Sequence, residues 1–147
     1  LLCEELTRAG YADKAFKLLL HEGYPGWLYA VKMGATTIWE RWNSVLPDGS
    51  ISGTDMNSLN HYSYGAIVHW LYQDVAGIAP LAPGFTRARL APHVRPALGK
   101  AEAVFDSAAG QWKVCWELLP TGGSPMPAPC PSAARRKCPC LTAVSIR

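Results

Sequence analysis

Apolar residues recur at helical spacing along the first part of the chain. Leu2, Leu6 and Ala9 share one face of a predicted helix, and Gly10 ends it because glycine readily adopts the left-handed conformation found just beyond helix ends. A second apolar face follows over residues 12–20. Two short helices with so brief a connection predict an antiparallel helical hairpin.

The pattern then alternates between turns and further helices. A G-Y-P-G turn at 23–26 leads into a short predicted helix over 27–32. Residues 35–62 form a long connection, which in a compact domain usually serves a function. Helical spacing returns over 64–75 and stops at a glycine and a proline.

The period changes after residue 84. Strands are predicted over 87–90, 100–105 and 111–118, with a turn at 107–110. An isolated hairpin is only marginally stable in water, so we expect a larger β-domain to begin here. From residue 121 the chain is rich in Pro, Ala, Arg and Cys, and we predict a tail that is disordered or read out of frame.

Composition narrows the class of protein. The chain has 147 residues, of which 49% are hydrophobic and 17% charged, enough for a packed core and unlike a disordered chain. Charged and polar residues interrupt every stretch approaching the roughly 18 apolar residues of a membrane helix, so no membrane partner is predicted. Any signal peptide would lie upstream of Leu1, which leaves the localisation open, cytoplasmic or secreted.

The net charge of +3 belongs to the tail. The first 120 residues hold ten Lys and Arg and all eleven Asp and Glu, whereas the last 27 hold four basic residues and no acid. Nucleic-acid binding requires basic residues spread over a folded face with aromatic residues among them. Every aromatic residue lies at or before Trp116, so no nucleic-acid partner is predicted.

The densest group of potentially reactive side chains surrounds Glu40, which follows Trp39 and precedes Trp42. A carboxylate beside large apolar rings in a partly closed cleft suits general acid or base catalysis. The alternative is a surface ion pair of Glu40 with Arg41 or another cation. His61 could donate to a sugar hydroxyl or orient Glu40, or it could be merely structural.

Aromatic and amide side chains add a carbohydrate interpretation. Four tryptophans lie within 44 residues, at positions Trp27, Trp39, Trp42 and Trp70. Indole rings stack on the apolar faces of sugars, although core packing is an equally good explanation. The side chains that could match sugar hydroxyls are Asp55, Asn57 and Asn60, but turns use the same residue types.

Sequence motifs for other chemistries are absent. The chain has no phosphate-binding glycine loop, no G-x-S-x-G and no H-E-x-x-H. The Cys138-Pro139-Cys140 pair is too closely spaced for half of a zinc site. We therefore predict neither a metal nor a cofactor.

Four motifs occur in order along the chain: Y-P-G-W at 24–27, G-A-T-T-I-W-E-R-W at 34–42, D-G-S at 48–50 and S-L-N-H-Y-S-Y-G-A at 58–66. Together they resemble the α-L-rhamnosidases of glycoside hydrolase family 78. Their order and spacing match over about residues 1–118. The resemblance implies a mainly α fold with a β segment: the end of an (α/α)6 six-hairpin barrel over 1–80, the first strands of a β-sandwich over 81–120, then the tail over 121–147.

The resemblance also implies an activity and roles for residues. The family hydrolyses terminal α-L-rhamnosyl groups with inversion, and its general base falls on Glu40. Its rhamnose-contacting histidine falls on His61, while Trp39 and Trp42 are expected to wall the pocket. The implied partner is a rhamnose-containing glycoside or oligosaccharide, and the oligomeric state stays open.

The family's general acid belongs to an upstream acidic segment that has no counterpart in these 147 residues. We therefore expect a fragment that is inactive alone, opening within a helix at Leu1. The alternatives are a fragment of another (α/α)6 glycosidase, for example one acting on an L-fucoside, and a non-catalytic carbohydrate-binding module.

Overall fold

The computed structural model describes residues 2–53, 55–118 and 127–128. The described residues form two compact units, with the division after Trp70. In the described part of the chain, every helix is too short or too polar to cross a membrane.

The first unit begins with the predicted helical hairpin. Helices α1 (Leu2–Arg8) and α2 (Ala12–Leu19) are joined through Gly10, whose φ of +85° is the left-handed value predicted for it. The buried Cys3 thiol of α1 lies 3.9 Å from the Ala15 carbonyl oxygen of α2, and burial raises the pKa of this thiol. The apolar face of α2 is therefore buried as its spacing predicts, whereas α1 meets it through Cys3. The predicted face of α1 is largely exposed, with Leu2 at 62%.

Trp70 completes the core of the first unit. Helix α3 (Trp27–Lys32) follows the hairpin, and helix α4 (Ile67–Trp70) ends the unit. The fully buried Trp70 ring packs edge-on against Phe16 with centroids 5.1 Å apart, and its Nε1 donates to Thr7 Oγ1 at 2.8 Å. This tryptophan therefore serves the core.

The described part of the second unit contains five strands. A π-helical turn (Leu71–Val75) precedes an antiparallel pair formed by β1 (Ile78–Pro80) and β2 (Ala88–Leu90), and a second sheet has the order β3-β4-β5. The members of that sheet are β3 (Lys100–Ser107), β4 (Gly110–Leu118) and β5 (Pro127–Ala128). The Trp116 indole anchors β4 because its Nε1 donates to the Val75 carbonyl oxygen at 3.0 Å.

The elements of the structure differ from the predicted ones in places. The single helix expected over 64–75 is instead a 3-10 turn (Ser63–Ala66), helix α4 and the π-helical turn in succession. Strand β1 was not predicted, because three residues are too few to show an alternating pattern. The domain limits at 80 and 120 stay predictions, and the predicted tail over 121–147 lies outside the described residues except for β5.

Candidate active site

Two loop segments, 37–41 and 57–61, lie side by side in the first unit. Four hydrogen bonds join them: Glu40 N to Ser58 O at 2.9 Å, Ser58 N to Glu40 Oε2 at 2.8 Å, His61 N to Ile38 O at 2.7 Å, and Thr37 Oγ1 to Leu59 O. Bonds from one loop to another satisfy backbone groups that helices and sheets satisfy internally. The pairing therefore places Glu40 and His61, which are 21 positions apart in the sequence, on adjoining segments.

The Glu40 carboxylate is half-buried and fixed by one partner residue. Its Oε2 accepts a hydrogen bond from Ser58 N at 2.8 Å, while the Glu40 backbone N–H donates to Ser58 O. Arg41 donates instead to the Asp55 carbonyl oxygen at 2.9 Å. Among the residues that the structure describes, Glu40 forms no ion pair. The alternative of a surface ion pair with Arg41 or another cation is therefore not observed there.

The His61 ring is oriented by its own loop. Its Nδ1 accepts a hydrogen bond from Ser63 N at 3.3 Å, and the ring stacks on Tyr62 with centroids 5.0 Å apart. An acceptor Nδ1 in a neutral imidazole assigns the proton to Nε2. Nε2 is then available as a donor to a ligand hydroxyl.

The tryptophans of the motif line a cavity of about 260 Å³. Trp39 is buried, whereas Trp42 is half-buried, stacks on Tyr64 at a centroid distance of 3.7 Å and meets Trp27 edge-on at 4.9 Å. Both Trp39 and Trp42 contribute to the wall. The structure therefore brings these two rings together around one cavity, and the residues that line it do not include Glu40 or His61.

The D-G-S motif forms the tip of a neighbouring loop. Val45 and Ile51 pair as an antiparallel bridge, and Asp48 Oδ1 accepts hydrogen bonds from the Ser50 hydroxyl at 2.6 Å and the Ser50 amide at 2.9 Å. These donors lower the pKa of Asp48, the hydroxyl contributing most. The motif thus serves local loop structure.

Sequence reasoning missed the residue that fixes the candidate base. The backbone N–H of Ser58 contacts Glu40 across 18 positions, and no local pattern indicates such a contact. Asn57 was expected either to match sugar hydroxyls or to form a turn, and its side-chain amide donates to backbone carbonyls of the 44–53 loop. Asp55 and Asn60 are exposed.

Possible metal-ligating side chains are scattered in the described part of the chain. Over residues 2–53 and 55–118, no three His, Cys, Asp or Glu side chains lie close enough together to hold a metal ion.

The helical hairpin and the antiparallel strands that follow it agree with the end of a six-hairpin glycosidase domain and the start of a β-domain, the class that the motifs predict. Residues 1–75 match the bacterial α-L-rhamnosidase six-hairpin glycosidase domain, and residues 77–124 match the bacterial α-L-rhamnosidase C-terminal domain. The chain belongs to the α-L-rhamnosidase family. This finding confirms the predicted fold class.

Individual relatives agree. The chain is 41% identical over 122 residues to an α-L-rhamnosidase of Alteromonas sp. and 44% identical over 118 residues to one of Formosa agariphila. These alignments cover 83% and 80% of this chain, and 13% of each relative. The chain thus spans about an eighth of the length of these relatives.

Solved structures show the same likeness. The Streptomyces avermitilis α-L-rhamnosidase complexed with L-rhamnose is similar with a TM-score of 0.76 and 38% identity, over 81% of this chain and 12% of that one. The Aspergillus terreus α-L-rhamnosidase gives a TM-score of 0.76 and 36% identity, over 80% of this chain and 14% of that one.

Proposed function

We propose that this chain is the part of an inverting α-L-rhamnosidase that carries the general base, Glu40, and that the general acid lies outside these 147 residues. The substrate is a glycoside or oligosaccharide with a terminal α-L-rhamnosyl group. The observation that carries the proposal is the hydrogen bond from Ser58 N, which fixes the Glu40 carboxylate on its loop. This loop lies within the segment that matches the family's six-hairpin domain. The rhamnose complex of the Streptomyces relative supports the sugar assignment.

The chemistry needs two carboxyl groups on opposite sides of the scissile bond. Water attacks the anomeric carbon from the face opposite the leaving oxygen, and Glu40 takes a proton from that water as the new C–O bond forms. The second carboxylic acid gives its proton to the leaving oxygen as the glycosidic bond breaks. The carboxyl groups of inverting enzymes stand about 6.5–9.5 Å apart, which leaves room for the water.

The hydrogen bonds of Glu40 suit this role. Oε2 is held by the Ser58 amide, while Oε1 accepts no hydrogen bond from the described residues. One oxygen is thus oriented and the other is available to the water. A carboxylate that is already oriented lowers the entropic part of the activation barrier for hydrolysis.

His61 and the two tryptophans recognise the sugar in this proposal. The Nε2–H of His61 donates to a rhamnose hydroxyl, because Nδ1 is already occupied by Ser63. Trp42 offers apolar ring surface to the sugar's C–H groups, and the buried Trp39 supports the same cavity wall from behind. These contacts act on binding, whereas Glu40 acts on turnover.

A chimera tests the proposal. Residues 1–118 of this chain replace the matching segment of the Streptomyces avermitilis α-L-rhamnosidase, and the hydrolysis of aryl α-L-rhamnoside is followed. We expect Glu40→Gln to lower kcat by about 10²- to 10⁴-fold with KM nearly unchanged, since the amide cannot take a proton. Proton NMR of the first product is expected to show the β anomer.

Glu22→Gln is the matched control, because Glu22 is exposed and its one ion pair among the described residues is with Lys32, on the surface of the same unit. Full turnover in the Glu40→Gln chimera would contradict the catalytic role and favour a carbohydrate-binding module. Faster hydrolysis of an aryl L-fucoside than of the rhamnoside would contradict the sugar assignment.

A further inference from the structure

Asn57 joins the loop at 44–53 to the segment that carries Ser58. Its side-chain Nδ2 lies within hydrogen-bonding distance of three backbone carbonyl oxygens: Ser44 O at 3.3 Å, Ser52 O at 3.0 Å and Gly53 O at 3.3 Å. Ser52 N also donates to Ser44 O at 3.0 Å, so both ends of the loop meet at this amide. A single side chain therefore fixes where residue 57 lies.

The next residue along the chain is the partner of the candidate base. Ser58 N donates to Glu40 Oε2 at 2.8 Å, and Ser58 O accepts from Glu40 N at 2.9 Å. One peptide unit separates the fixed position of Asn57 from these two bonds. Movement of residue 57 would consequently displace the Ser58 amide from the carboxylate that it orients.

We propose that Asn57 is a positioning residue for the general base, acting on Glu40 through the Ser58 amide. This inference rests on the proposed function of Glu40. The Asn57 side chain donates to the protein's own backbone, so its part in the reaction is to keep the Glu40 carboxylate in place rather than to bind the sugar.

Two substitutions separate this role from simple packing. Asn57→Ala removes the donors, and Asn57→Asp keeps the size but turns three attractive contacts into contacts between oxygens. Asn57 Oδ1 is buried and has no hydrogen-bond partner among the described residues. The hydrogen bonds lost in Asn57→Asp are therefore those that Nδ2 donates. Asn43→Ala is the matched control, because Asn43 Nδ2 approaches the same loop at Ser52 Oγ, 3.5 Å away.

Amide hydrogen exchange of the 147-residue chain, resolved by NMR, tests the mechanical step. We expect Asn57→Ala and Asn57→Asp to speed exchange of the Ser58 amide on the order of tenfold, the effect of one lost hydrogen bond. Exchange at Phe16 in α2 should stay constant, and Asn43→Ala should leave Ser58 unchanged. Equal acceleration at Phe16 and Ser58, or none at Ser58, would overturn the proposal.

Kinetics of the chimera test the catalytic step. Asn57→Ala should lower kcat by up to about 10²-fold with KM unchanged, and should cause no further loss in the Glu40→Gln background. Additive losses would identify a structural role and overturn the positioning proposal. If Glu40→Gln itself leaves turnover intact, the proposed function fails instead, so the two failures are distinguishable.

Discussion

Trp70 and Trp42 show how one residue type serves two purposes within the first unit. Trp70 is fully buried, and Thr7 satisfies its indole N–H. Trp42 is half-buried and presents part of its ring to a cavity while Tyr64 covers one face. Burial with a satisfied donor indicates a core residue, whereas a ring beside open volume can also contact a ligand.

Asp48 and Ser50 provide a prediction at the residue scale. Ser50→Ala removes the hydroxyl donor but keeps the backbone amide, so we expect the pKa of Asp48 to rise toward its usual range. Because the folded-state pKa is lowered, the stabilisation exists above the unfolded pKa and is lost as pH falls through the folded value. A carboxyl carbon NMR titration measures the shift.

Ser52→Ala serves as the control, since the Ser52 hydroxyl contacts Asn43 and not Asp48. An Asp48 titration curve that is identical in Ser50→Ala and the original chain would contradict the assigned cause.

The elements differ in what holds them. Helices α1 and α2 satisfy their own backbone groups, so an apolar face suffices to pair them. Strand β1 has only three residues and its backbone pairs with that of β2, while the residue before β1 is hydrogen-bonded to the residue that follows β2. Gly77, directly before β1, accepts a hydrogen bond from Ala91 N at 2.9 Å and passes close to Pro92.

Gly77→Ala tests this close approach. A Cβ at Gly77 would lie 2.2 Å from Pro92 N, and φ at Gly77 is +83°. Steric overlap with backbone and the left-handed conformation together should cost about 2–5 kcal/mol of the free energy of unfolding. Urea unfolding of the chain measures the loss.

Gly99→Ala is the matched control in the same unit. Gly99 also has a positive φ, +72°, but a Cβ there would meet nothing within 4 Å. Its cost should be about 1–2 kcal/mol, from conformation alone. Equal losses for the two substitutions would show that the contact with Pro92 is not restrictive.

At the scale of the whole molecule, the chain spans about an eighth of the length of the relatives it matches. Catalysis by inversion requires a general acid that these 147 residues do not supply in the proposed mechanism. Several large apolar side chains of the first unit are exposed, including Tyr24, Val31, Met56 and Tyr62. In a longer protein, further chain would cover such surface.

We therefore expect the purified 147-residue chain to release no rhamnose from an aryl α-L-rhamnoside, while the chimera does. The physical reason is that water activation by Glu40 leaves the glycosidic oxygen without a proton donor. A sensitive assay for free rhamnose, with the chimera as the positive control, measures this difference. Release of rhamnose by the chain alone would contradict the placement of the general acid outside it.

The sequence by itself determined the local elements and the family. Helical spacing predicted α1 and α2, and α2 buries the apolar face that its own residues display. The turn at 23–26 and the short helical run after it predicted α3, which contains no buried residue. The G-A-T-T-I-W-E-R-W run and the downstream N-H-Y-S-Y-G were enough to predict the family that the comparisons confirm. The predicted roles of Glu40, His61, Trp39 and Trp42 stay predictions until the chimera is measured.

Only the tertiary structure decided which groups hold the site residues. The Ser58 backbone N–H donates to Glu40, 18 positions earlier in the sequence. The Asn57 side-chain amide donates to carbonyl oxygens of a loop that begins 13 positions before it. Such contacts depend on how the 35–62 connection folds back on itself. Hydrogen bonds between loops follow no sequence period, because any backbone N–H can donate to any carbonyl brought near it.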